Sequence, residues 1–148
     1  MTEAEKFLMN ERNNNSPDFK RLRTRFQNIK DRHGARYSFF KDEGTDDSLV
    51  KAFHAGAKKK AGYLEQNRLR WYCIRLSERC VIFGNGGVKQ VAKTQQDPHL
   101  NEKERDMRWV DNVVDYVMRA DMLAEDENGT LHGTMEFTEE KLEKYGLR

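Results

Sequence analysis

Six cations crowd one short stretch of this chain: Arg68, Arg70, Arg75, Arg79, Lys89 and Lys93. The run Lys58-Lys59-Lys60 lies just upstream. Cations at that density share one chemistry, the holding of phosphate or another anion. Gathered around a single phosphodiester, they also supply what RNA cleavage needs without a metal. The scissile phosphate's charge must be held, the 2′-OH proton removed and the leaving oxygen protonated. On that reading Arg75 and Arg79 hold the phosphate, and Lys89 or Lys93 does the same or transfers protons. His99, close in sequence to Lys93, and Tyr72 are the candidates for base stacking or a proton shuttle. The bland alternative is a solvated polar sheet face with an ordinary tyrosine.

Other chemistries find no support in the residues. His33, His54, His99 and His132 are scattered, and none has a ligand spacing with a cysteine or another histidine. No metal and no cofactor is expected. Cys73 and Cys80 lack a nucleophile's context and read as small buried apolar residues kept reduced. Gly84-Asn85-Gly86-Gly87 follows a strand, as phosphate-cradling loops do, but neither GxGxxG nor GK[ST] is present. These glycines read instead as a turn or bulge requiring positive φ.

The elements that must position the cations follow from periodicity and caps. Residues 1–15 are polar and read as a flexible N-terminal arm or a short helix. Ser16-Pro17-Asp18 is a helix start, followed by Phe19, Leu22, Phe26 and Ile29 as one apolar stripe and ended by Gly34. Arg36 to Phe40 reads as a short strand. Asp46, Asp47 or Ser48 caps a second helix carrying Leu49, Val50 and Phe53. Leu69–Leu76 and Cys80–Phe83 form a hairpin about Ser77-Glu78. Period-two alternation puts Arg68, Arg70 and Tyr72 on one face, open to RNA, and Leu69, Trp71 and Cys73 on the core face. Asp97-Pro98 opens the longest helix, running toward Leu123. Both the Ser16 helix and this one are expected on the Trp71 face. Asn128-Gly129 is a turn, Leu131 to Phe137 a strand, and Thr138 caps a last helical turn. The fold class is α+β: a short antiparallel sheet with an N-terminal helix and a long C-terminal helix packed on it. Residues 16–148 form a single domain, with an acidic extension from about 124.

The 148 residues carry a net charge of +2, which conceals a division. Residues 1–95 hold 20 Lys and Arg against 11 Asp and Glu, and residues 96–148 hold 7 against 14. A basic body with an acidic end suggests a polyanion-binding surface partly covered by its own tail. No run approaches the length of a membrane span, and Phe7-Leu8-Met9 is too short for a signal-peptide core. A cytoplasmic protein without a membrane partner is expected.

From about residue 69 to residue 100 the chain resembles the HigB/RelE-type toxins of bacterial toxin–antitoxin modules. The hairpin is followed by Lys93-Thr94-Gln95-Gln96-Asp97-Pro98 and a helix, similar to the KTQKTP segment of HigB-like members. GNGG departs from that pattern, and so does the acidic extension. The resemblance implies a RelE-like fold and a metal-independent endoribonuclease that cleaves ribosome-bound mRNA, with a helix-turn-helix antitoxin as partner. It implies catalytic roles for Arg75, Arg79, Lys89, Lys93 and His99, and RNA contacts from Arg68, Arg70, Tyr72 and Lys58 to Lys60. The alternatives are a non-catalytic RNA- or nucleic-acid-binding regulatory protein and a protein–protein interaction module on the same fold.

Overall fold

The computed structural model of the protein describes residues 1–42, 49–56, 59–60, 63–64, 68–89 and 97–147. Three helices come first: α1 (Glu3–Met9), α2 (Glu11–Asn14) and α3 (Phe19–Asn28). α3 runs into a π-helical turn, Ile29–His33, which stops at Gly34 with φ of 66°. Then come β1 (Phe40–Asp42), β2 (Val50–Phe53), the two-residue strands β3 (Lys59–Lys60) and β4 (Tyr63–Leu64), β5 (Leu69–Ser77) and β6 (Cys80–Val88). The long helix α4 (Pro98–Arg119) is followed by β7 (Leu123–Glu125), β8 (Leu131–Gly133) and α5 (Glu139–Lys144). The main sheet is antiparallel throughout, in the order β1-β2-β5-β6. The α+β expectation therefore holds, with the long helix packed on the sheet.

The sheet is buried on both faces. On one, Leu69, Trp71, Cys73 and Phe53 meet Phe7 of α1 and Phe19 and Leu22 of α3. On the other, Val50, Ala52, Tyr72 and Ile74 meet Leu100, Met107, Val114 and Val117 of α4, with Leu123 beside them. The alternation along β5 is as expected, but α4 covers the Tyr72 face, not the Trp71 face. A 22-residue helix with one apolar stripe must bury it somewhere, and α3 and α1 already occupy the Trp71 side.

Three further expectations are corrected. The N-terminal arm is not free, because α1 and α2 form and Phe7 is fully buried, stacked on Trp71 at 4.7 Å with the rings 10° apart. The helix expected over Leu49–Phe53 is strand β2, all four residues of which are buried. Leu49, Val50 and Phe53 fit a helical stripe, but a short apolar run suits either element, and here it lies between two partner strands. Finally, Gly84-Asn85-Gly86-Gly87 does not break the strand, since all four lie within β6 and none has positive φ, but the expected bulge is there: Trp71 pairs with Gly86 and Cys73 with Phe83, so Gly84 and Asn85 together oppose Tyr72. They are glycines because neighbours come close. A Cβ on Gly86 would sit 1.9 Å from the Arg70 carbonyl oxygen, and one on Gly84 2.7 Å from Met107 Sδ.

Two side chains stitch the layers together. Asp18, wholly buried, accepts from the backbone N–H of Arg68 at 2.7 Å and of Leu69 at 2.9 Å, which ties the entry of α3 to the start of β5. The helix begins after Asp18, later than the Ser16-Pro17 signal suggests, because that carboxylate is turned toward β5 rather than along its own helix. Asp97 caps α4 as expected, accepting from Leu100 N–H at 3.3 Å, with Pro98 at the first helical position.

Candidate polyanion-binding face

The hairpin cations do not gather around one point. Arg70 is buried with only 3% exposure, its Nη1 donating to the Leu69 carbonyl at 3.0 Å. Tyr72 is fully buried beneath α4. The sheet face expected to be open to RNA is therefore closed, and neither residue can meet a ligand there. Arg75 is half-buried, and its Nε donates to the Ala35 carbonyl at 2.8 Å, a tie to the turn after α3. Arg79 is exposed in the hairpin turn and donates to the Glu127 carbonyl. Lys89 follows the far end of β6, half-buried, with its N–H on the Arg68 carbonyl at 2.7 Å. Arg79 and Lys89 flank the nine residues of β6, roughly 30 Å apart at about 3.3 Å per residue. His99 is exposed at the start of α4, where a Cβ on Gly87 would come within 2.8 Å of its Nε2, and so stands at the Lys89 end. Arg68 is exposed at that same end. Lys58 and Lys93 lie outside the described residues, and Lys59 and Lys60 form β3. Of the four cations expected around one phosphate, the three that are described, Arg75, Arg79 and Lys89, are thus divided between the two ends of the hairpin.

A different set of cations does converge. α3 buries Phe19 and Leu22 and packs Phe26 against the core. The rest of Phe19–Asn28 carries Lys20, Arg21, Arg23 and Arg25 and no acidic residue. Lys20, Arg21, Thr24, Arg25 and Asn28 line an open pocket of about 420 Å³ together with Phe39. A smaller hollow of about 260 Å³ adjoins it, lined by Lys20, Arg23, Thr24 and Gln27. Among the described residues no carboxylate lines either one.

Two of these cations are held in place. Arg25 Nη1 donates to the His54 carbonyl at 2.8 Å, and its guanidinium lies 4.8 Å from the centre of the Phe39 ring. Arg21 Nη2 donates to the Gly56 carbonyl at 3.1 Å. Burial, together with the neighbouring Arg21 charge, pulls the Arg25 pKa below the usual guanidinium value. His54 is buried behind this pair. Its Nδ1 accepts from Gly56 N–H at 3.0 Å, so the ring proton belongs on Nε2. Burial first, and then the charges of Arg25, Lys41 and Arg70, push the His54 pKa down to about 4. A neutral imidazole facing these three cations, its Nδ1 already engaged, supports the site structurally. The pocket offers positive charge, two neutral polar side chains and an aromatic ring with a guanidinium over it. Such a surface can hold phosphates and stack a planar group. Among the described residues no group of histidine, cysteine or carboxylate side chains is placed to hold a metal.

The α3 cations are visible in the sequence as the polar side of an amphipathic helix, where lysine and arginine ordinarily mean solvation. The signal that separates them is that the helix itself holds no acidic residue, and the one carboxylate at helical spacing, Asp18 three positions before Arg21, is turned toward β5. The acidic end of the chain does not screen this face. Leu123, Leu131, Phe137 and Tyr145 pack on the α4 side of the sheet, and Tyr145 stacks on Tyr116 at 4.9 Å. Its contacts with the hairpin are local to the turn, where Ser77 Oγ donates to Glu125 at 2.6 Å and Arg79 meets Glu127. No helix among the described residues is long and apolar enough to cross a membrane. No protein-family model, no curated protein and no solved structure matches this chain.

Proposed function

We propose that the protein is a non-catalytic RNA-binding module of the cytoplasm and that α3 is the surface it uses. The observation that carries this reading is the α3 pocket: three cations, two of them fixed by hydrogen bonds, beside an aromatic ring, with no carboxylate among the described residues of the lining. Phosphates are met by Lys20, Arg21 and Arg23, and an unstacked base lies against the Arg25–Phe39 pair. The toxin-type endoribonuclease is the rival. It requires several cations on one phosphate, and Arg79 and Lys89 stand at opposite ends of β6.

Fluorescence anisotropy with a labelled single-stranded RNA across a salt series tests the proposal. Affinity is expected to fall steeply with salt. Charge reversal at the exposed Lys20 and Arg23 should lower it at least tenfold and reduce the log–log salt slope by about 1.4, at roughly 0.7 per phosphate contact. Arg79→Ala and Lys89→Ala should leave affinity within about twofold, and the RNA should remain intact. Cleaved RNA, or growth arrest on expression without an antitoxin, sinks this reading and restores the nuclease.

A further inference from the structure

The α3 hollow that holds Phe39 is the first of three that follow one another around the helix. Lys20 and Thr24 form the wall it shares with the second. Arg23 and Gln27 belong to the second and also to a third, of about 330 Å³, which lies between α3 and the corner of α1 and α2. At about 100° per residue, Arg23 and Arg25 stand about 200° apart around α3. Phe19, Leu22 and Phe26 take up the core-facing remainder of the circumference. On a helix about 10–12 Å across, the outer path from one arginine to the other is roughly 20 Å. Among the described residues no carboxylate lines any of the three hollows. The two ends of this path are alike. At one the Arg25 guanidinium lies over Phe39, at 4.8 Å, and at the other the Arg23 guanidinium lies over Phe19, at 5.9 Å. The third hollow has an apolar floor of Leu8, Phe19 and Phe26 and an exposed rim of Asn14, Arg23 and Gln27. Asn14 is fixed there, its Nδ2 donating to the Leu8 and Asn10 carbonyls at 2.9 Å. The middle is different. The second hollow has no aromatic ring, only Lys20 and Arg23 with the hydroxyl of Thr24 and the amide of Gln27, which are donors that a phosphate takes.

We infer that the third hollow is a second base pocket, so that the ligand is a single RNA strand laid across α3 with a base at each end and phosphates on Lys20 and Arg23 between them. The inference rests on the reading of α3 as the RNA-binding face and adds what that face selects. An apolar floor beside a planar cation suits the flat face of a nucleobase. Arg23 serves both neighbours, since a guanidinium stacks by its face and donates from its edge. A duplex is not held in this way, because its bases are paired and stacked inside the helix, out of reach of either hollow. Bases gripped by their faces are held with little regard for sequence.

Anisotropy of the full chain with a single-stranded RNA and with a duplex of equal length, at one salt concentration, tests the selection. A face that merely attracts phosphates binds the duplex at least as well, because the duplex carries the denser charge. Here the duplex should bind at least tenfold more weakly. Arg23→Lys keeps the charge and removes the stacking plane. It should leave the log–log salt slope unchanged and lower single-strand affinity about tenfold. A duplex bound as tightly as the single strand overturns the second base pocket and leaves α3 as an RNA-binding face. So does an Arg23→Lys variant with wild-type affinity. If no RNA of either kind binds, the reading of α3 fails and the second pocket with it.

Discussion

Trp71 is where the single-residue energetics concentrate. It is 1% exposed and touches the rings of Phe7, Phe26, Phe53 and Phe83. Its Nε1 donates to the Gly84 carbonyl at 2.8 Å. Trp71→Ala removes that packing and strands a buried acceptor, and should cost about 3–5 kcal/mol by urea denaturation. That residue was legible because alternation along β5 assigns it inward. Tyr72 and Arg70 were not, since the same alternation says only that they face the other way, not whether a helix waits there. His54 was equally silent in the sequence. Its folded pKa lies near 4, against 6.5 in a solvated ring, so the unfolded chain binds the extra proton between those values. Stability is therefore complete above about pH 6.5 and lost as pH falls toward 4, by an amount on the order of 3 kcal/mol. His54→Asn keeps an acceptor for Gly56 N–H and should flatten that slope, measured as unfolding free energy across the same pH range.

At the level of elements, caps and stripes were readable and close approaches were not. Asp97-Pro98 announces α4 because both the cap and the proline are local devices. The glycines of β6 announce nothing about their purpose, because the atoms they make room for belong to Arg70 and Met107, distant in sequence. The two cases separate experimentally. Gly86→Ala drives a methyl into the β5 backbone and should destabilise the protein by about 3 kcal/mol or more, or prevent folding. Gly84→Ala meets only the end of a flexible methionine side chain and should cost about 1–2 kcal/mol. Equal losses in thermal or urea melts would show that the β6–β5 approach is not the constraint. β2 fits a helical stripe for a related reason. Four buried residues hold no period, and only the strands on either side decide their conformation.

Across the whole molecule, charge is layered rather than folded back on itself. The sequence divides into a basic body and an acidic end, and the sheet keeps them apart, with α3 on one face and the β7–β8 and α5 segment on the α4 side. Screening reaches only about 8 Å at physiological ionic strength. Replacing Glu139, Glu140 and Glu143 with glutamine should thus change RNA affinity less than twofold in the anisotropy assay, although the sequence alone suggested a tail that screens. A gain of tenfold would place the acidic segment over α3 in solution.

The stacking of Phe7 on Trp71 also imposes a schedule on the chain as it is made. Phe7 precedes Trp71 by 64 residues and Phe83 by 76. At roughly 5–20 residues per second, α1 waits on the order of 3–15 s after its synthesis before Trp71 and Phe83 are made. Throughout that interval the first helix to be translated has no Trp71 ring to stack on and is exposed to nascent-chain chaperones.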